Sequence, residues 1–103
     1  MKSIKIEPDV ITTVIPSNKI KHDYYITGIN VVNYGKVGRY LLHLLDGRNH
    51  IIATIVWEIM MRDAELVFPV TMSPIKGRRC VKARSKSENG GYIRVKLLYN
   101  KVI

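Results

Sequence analysis

Turn-forming residues punctuate this chain at intervals of about 8–12 residues, and that rhythm limits its fold more than any other feature. Pro8, Pro16-Ser17-Asn18, Gly35-Lys36-Val37-Gly38, Asp46-Gly47, Ser73-Pro74 and Asn89-Gly90-Gly91 separate runs rich in Val, Ile, Thr and Tyr. Runs of this length and β-branched content suit strands rather than helices. The expectation is a mostly-β chain, a small antiparallel barrel or sandwich of OB-like kind, with one short helix allowed near residues 58–64. At 103 residues it forms a single domain, 1–103, large enough to bury a modest core.

Taken in order, residues 3–7 alternate and predict a strand stopped by Pro8. Residues 10–15 are β-branched throughout and predict a second; the two are also readable as one bent edge strand. Residues 24–32 predict a long strand, in which Gly28 marks a bulge or a close backbone approach. Strict alternation would put Tyr25, Thr27, Ile29 and Val31 on one face and Tyr24, Ile26, Gly28, Asn30 and Val32 on the other. Residues 39–45 predict a strand ended by Asp46-Gly47. Residues 50–65 fit both an apolar helical stripe and a β-branched strand; the preceding turn favours strand over 51–57, paired with 40–45. Residues 66–72 predict a strand at an edge, because Pro69 cannot donate to a ladder. Trp57 and Phe68 are expected in the core. Met60 and Met61 either fill core gaps or line a subunit contact.

Charge concentrates in residues 78–99. There Lys82, Arg84 and Lys86 alternate with Val81 and Ala83, while Tyr92, Arg94 and Lys96 alternate with Ile93, Val95 and Leu97. Read as two strands of a hairpin around Ser87-Glu88-Asn89-Gly90-Gly91, the stretch presents its cations on one face and its apolar residues on the other. Like charges opposed across paired strands repel, so such a face calls for a polyanion or for screening by water and salt. Lys and Arg number 17 against 8 Asp and Glu, a formal net charge of +9, which favours nucleic acid as partner.

Catalytic and metal chemistry find little support. His22, His43 and His50 have no zinc-ligand spacing, and Cys80 stands alone, so no cysteine-based zinc site is available within one chain. No nucleophile elbow or phosphate-binding P-loop is present. Gly35-Lys36-Val37-Gly38 reads as a turn before it reads as a phosphate cradle. A nuclease site from His43, Asp46, Glu58 and Arg62 is conceivable, but their spacing does not require it. No catalytic residue, metal or cofactor is assigned.

The expected function is therefore non-catalytic binding of single-stranded DNA or RNA with low sequence specificity. Arg78, Arg79, Lys82, Arg84, Lys86, Arg94 and Lys96 would meet phosphates and Tyr92 would stack on bases. Tyr34, Lys36, Arg39 and Tyr40 repeat the mixture of cation and aromatic, and are expected to extend the same surface. Two alternatives are a dimeric β-ribbon regulator of duplex DNA and a small structural or assembly protein of viral kind. A homodimer suits either. The first ten residues lack the apolar run of a signal peptide, and no stretch approaches the ~18 apolar residues of a membrane span. The expected location is the cytoplasm, including that of a cell hosting a virus or plasmid.

Overall fold

Alternation of apolar and polar residues is realised in eight strands. They are β1 (Ile4–Ile6), β2 (Thr12–Ile15), β3 (Tyr24–Asn33), β4 (Gly38–Leu45), β5 (Ile51–Ile59), β6 (Glu65–Pro69), β7 (Val81–Ser87) and β8 (Ile93–Lys101). The computed structural model describes residues 2–33, 36–61 and 65–102. Among these no helix is present. Glu58 and Ile59 close β5, so the helix expected near 58–64 does not start there, and residues 62–64 lie outside the described residues. None of the described residues forms a helix long and apolar enough to cross a membrane.

The strands form two four-stranded sheets, ordered β1-β8-β3-β6 and β2-β7-β4-β5, with antiparallel pairing throughout. Four of the pairs are β1 with β8, β2 with β7, β3 with β6 and β4 with β5. This is one long antiparallel hairpin wrapped over itself, the strand order of a jelly-roll sandwich. Of the two architectures expected, the sandwich is the one formed. Among the described residues no pairing joins β5 to β6, so no OB-like barrel is closed. The chain passes from the first sheet to the second at Pro8-Asp9. Pro8 bridges to Ser85, and Asp9 takes a positive φ of 62°. The bent edge strand is thus β1 and β2, one on each sheet.

The core lies between the sheets. From the first come Ile6, Tyr24, Ile26, Ile29, Val31, Ile93, Val95 and Leu97; from the second, Val14, Tyr40, Leu42, Leu44, Trp57, Ile59, Val81 and Ala83. Trp57 is stacked on Tyr40 at 5.8 Å between ring centroids and reaches across to Phe68 at 5.3 Å. β3 changes its inward set midway. The register shifts between Ile26 and Gly28, so Tyr24 and Ile26 face inward before the bulge and Ile29 and Val31 after it. A period-two reading carried through Gly28 therefore misassigns half the strand. Met60 and Met61 fill no core gap: they are 78% and 74% exposed.

Hydrophobic burial decides which way β7 and β8 face. Each fully buried Ile, Val or Leu contributes about 1.5–3 kcal/mol. Exposed charge pairs are worth roughly 0–1 kcal/mol, so repulsion among surface cations cannot reverse that choice. Ser85 is the exception on the inner face: it is 1% exposed, and its hydroxyl has no hydrogen-bond partner. An unpartnered buried hydroxyl costs about 1–3 kcal/mol. Ser85→Ala should therefore hold or raise unfolding free energy, by up to about 1 kcal/mol in urea titration. A loss of that size would show that the hydroxyl is stabilising.

Candidate nucleic-acid interface

The hairpin expected over residues 78–99 is not formed. β7 pairs with β2 and β4, β8 pairs with β1 and β3, and residues 88–92 cross from one sheet to the other. Both strands bury their apolar residues in the same core, so their polar residues point to opposite outer faces. Lys82, Arg84 and Lys86 stand on the outside of the second sheet, while Arg94 and Lys96 stand on the outside of the first. The single five-cation face is thereby split in two. β7 and β8 therefore do not pair with each other as a two-stranded ribbon.

On the second sheet, β7 brings its cations beside β4. Lys86 opposes Leu41 and Arg84 opposes His43; His43 in turn opposes Thr54 of β5, and its Nδ1 lies 3.0 Å from Thr54 Oγ1. The Lys82 ammonium donates to Asn49 Oδ1 at 3.3 Å, linking β7 to the β4–β5 turn. Lys82, Arg84 and Lys86 have no ion pair among the described residues. Beyond Lys86, a shallow groove of about 260 Å³ has Leu41 and Val56 in its lining, flanked by Arg39, Lys86 and Glu88. Arg39 lies 3.9 Å from the Glu88 carboxylate, a loose, exposed contact.

The first sheet carries a smaller cationic group. Arg94 opposes Lys5 of β1, and the Lys5 ammonium sits 4.3 Å from the centre of the Tyr92 ring while also meeting Glu7 at 3.0 Å. Tyr92 is thus covered in part by a cation of its own chain.

Before β4, Lys36 and Val37 dock against the β7–β8 connection. The Lys36 ammonium donates to the Asn89 carbonyl at 3.0 Å, Asn89 Nδ2 donates to the Val37 carbonyl, and the Tyr40 hydroxyl donates to the Lys36 carbonyl at 2.8 Å. The Tyr40 ring itself is 1% exposed, so Tyr40 is a core residue and cannot stack on a ligand. Tyr34 lies outside the described residues.

At the opposite end, the β2–β3, β4–β5 and β6–β7 loops surround a cleft of about 550 Å³. Its lining includes Arg48, His50, Lys76, Arg78 and Arg79. Arg78 and Arg79 were expected at the site. Arg48, His50 and Lys76 were missed: each sits in a segment legible only as a turn, and only the strand order gathers those turns at one end. The one carboxylate in the lining, Asp46, is occupied locally. Its Oδ1 accepts from the His50 N–H at 2.9 Å and the Arg48 N–H at 2.8 Å. The His50 N–H first, with the Arg48 N–H and the charges of both side chains, holds the Asp46 carboxyl below its usual range.

Among the described residues no three His, Cys, Asp or Glu side chains are grouped so as to hold a metal ion. The conceivable nuclease set is dispersed. His43 opposes Thr54, Glu58 opposes Arg39 four residues along β4, about 13 Å away, and Asp46 lies in the turn at the other end. Arg62 lies outside the described residues.

His43 reports on the charge of this face. Burial first, then Arg84 and Lys86, lower its pKa from the ordinary value. The unfolded chain binds that proton more readily, so stability from this residue is present above about pH 6.5 and is lost as pH falls toward the depressed folded value. His43→Gln should therefore lose less stability than wild type between about pH 7 and 5, measured by urea titration. Equal losses would mean that His43 does not feel these cations.

No protein-family model matches the chain, and no curated protein is similar to it in sequence at a significant level.

Proposed function

We propose that the chain binds nucleic acid through the sugar-phosphate backbone, with little sequence preference, along a strip that runs from the end cleft over the outer face of β7. The observation that carries this reading is the alignment of Arg78, Arg79, Lys82, Arg84 and Lys86 along one segment, none of them ion-paired among the described residues. Successive outward residues of β7 are spaced about 6.6 Å apart, a repeat suited to successive phosphates of an extended single strand. Each phosphate neutralised releases counterions, so binding by such a strip is driven by charge and weakened by salt. Leu41 and Val56, beyond Lys86, offer an apolar floor on which a base or sugar can rest. The described residues offer no exposed aromatic on this face, which argues for backbone contact rather than stacking as the main source of affinity.

A bound polyanion would also offset the repulsion felt by His43. Replacing Lys82, Arg84 and Lys86 together with Gln should weaken binding of a labelled single strand at least tenfold near 0.1 M salt. It should also lower the slope of log affinity against log salt by roughly 2, at about 0.7 per lost phosphate contact. Arg94→Gln with Lys96→Gln, on the opposite face, should change affinity by less than about twofold. Unchanged affinity in the triple variant, with an unchanged circular dichroism spectrum, would remove β7 as the interface. Duplex binding as tight as single-strand binding would mean that the strip reads charge alone.

A second reading, assembly of copies of the chain, is favoured by β5. This edge strand is nine residues long and contains neither proline nor lysine, whereas the edge strand β6 has five residues and ends in Pro69. Long unprotected edges are templates for strand pairing. Ile51 and Val56 on β5, and Met60 and Met61 just after it, are exposed. The partner that fits is a second copy, whose β5 would pair antiparallel about a two-fold axis. A mass measurement in solution should give a dimer for the wild type and a monomer for Val56→Lys. A monomeric wild type at high concentration would discard this reading.

A further inference from the structure

The end cleft has features that a phosphate-tracking strip does not need. It is concave, and its volume of about 550 Å³ falls in the range of small-molecule sites. Three of its lining side chains are arginines, Arg48, Arg78 and Arg79, and none has an ion-pair partner among the described residues. Lys76 is engaged with Asp23 at 3.7 Å. Guanidinium groups suit phosphate because their planar fork donates two hydrogen bonds at once.

The backbone that carries these arginines is fixed. Arg78 has a φ of 65°, and among the described residues it is the only positive-φ residue that is neither Gly, Asn nor Asp. Side chains larger than these adopt that conformation at a cost, and such strain gathers at ligand sites. Neighbouring bonds hold it in place. The Gly77 N–H donates to Asp23 Oδ1 at 2.9 Å, the Arg78 N–H donates to the Ile20 carbonyl at 2.7 Å, and the Tyr24 hydroxyl donates to the Arg79 carbonyl at 3.0 Å. A side chain at position 77 would fall onto the Lys21 carbonyl, so glycine is required there. Burial, with Cys80 and Tyr99 nearby, pushes the Tyr24 hydroxyl up to about 12, so it remains a donor throughout the neutral range. Across the cleft, Asp46 closes the β4–β5 turn through the Arg48 and His50 N–H groups and thereby sets the position of Arg48.

We propose that this cleft binds a terminal phosphomonoester, the dianionic phosphate at the end of a nucleic-acid strand or on a free nucleotide, between Arg48, Arg78 and Arg79. The inference rests on the nucleic-acid reading for its biological ligand, but the cleft can be tested without it. An internal phosphodiester carries one negative charge; a terminal phosphate carries nearly two and exposes three oxygens. A concave three-arginine site distinguishes the two, whereas the linear β7 strip does not.

The test uses one short single strand in 5′-phosphorylated, 3′-phosphorylated and unphosphorylated forms, with ADP and pyrophosphate as separate probes. Wild type should bind one of the end-phosphorylated forms roughly tenfold more tightly than the unphosphorylated form, the gain expected of one bidentate guanidinium–phosphate contact. The preference should vanish in Arg78→Asn and in Arg48→Gln. Asn tolerates positive φ, so Arg78→Asn removes the guanidinium without disturbing the turn, and its Tm should equal or exceed that of wild type. The preference should survive when Lys82, Arg84 and Lys86 are replaced by Gln, although overall affinity falls. Saturable binding of ADP or pyrophosphate, lost in Arg78→Asn, supports the cleft even if no oligonucleotide binds, which separates its fate from that of the strip. ADP binding tighter than the strand end names a free nucleotide as the source; the reverse names the strand end. Equal affinity for all three strand forms together with no binding of ADP or pyrophosphate, or a preference that persists in both arginine variants, overturns the proposal.

Discussion

Burial of alternate residues of β7 and β8 in one shared core determines where the cations of this protein go. Val81 and Ala83 face inward from one sheet and Ile93, Val95 and Leu97 from the other. Their neighbours are therefore driven outward in opposite directions. Apolar burial of each side chain outweighs any surface charge contact, so the distribution of positive charge is a consequence of packing. Two outer cationic groups result, and the one on β7 continues into the end cleft through Arg78 and Arg79.

The wrapped hairpin explains why that continuation has depth. In an antiparallel sandwich, alternate loops emerge at the same end. The β2–β3, β4–β5 and β6–β7 loops contribute Ser17, Arg48 with His50, and Arg78 with Arg79 to one cleft. Tyr24, Ile20 and Asp23 then tie the β6–β7 loop to the start of β3. Rigid strands thus carry loops whose backbone is held in a fixed arrangement at this end. The other end is built differently: Asn89, Lys36 and Tyr40 bond the β3–β4 loop to the crossing between sheets.

Strand identity was legible because turn chemistry and alternation agree along most of the chain. Pro69 marked an edge strand, Asp46-Gly47 marked the β4–β5 hairpin, and Gly28 marked the bulge in β3. Alternation also identified Lys82, Arg84 and Lys86 as one outward set. It failed where a residue's surroundings depend on distant strands. Tyr40 looked like a surface aromatic beside cations, yet Trp57 from the partner strand encloses it. Met60 and Met61 were open to core filling or a subunit contact, and their exposure beyond the end of β5 rules out the first.

By itself, the sequence determined that this chain is mostly strand and turn, which side chains of β7 and β8 face inward, and that the surplus of charge is positive. Those are local properties, set by period-two alternation, β-branching and turn residues within about ten positions. Only the tertiary structure decided that Asn89-Gly90-Gly91 lies in a crossing between sheets and not in a hairpin turn. The same local turn is compatible with either, and the choice rests on whether β7 gains more by pairing with β8 or with β2 and β4. That choice split one expected binding face into two and gathered Arg48, Arg78 and Arg79 into a cleft that no local pattern encodes.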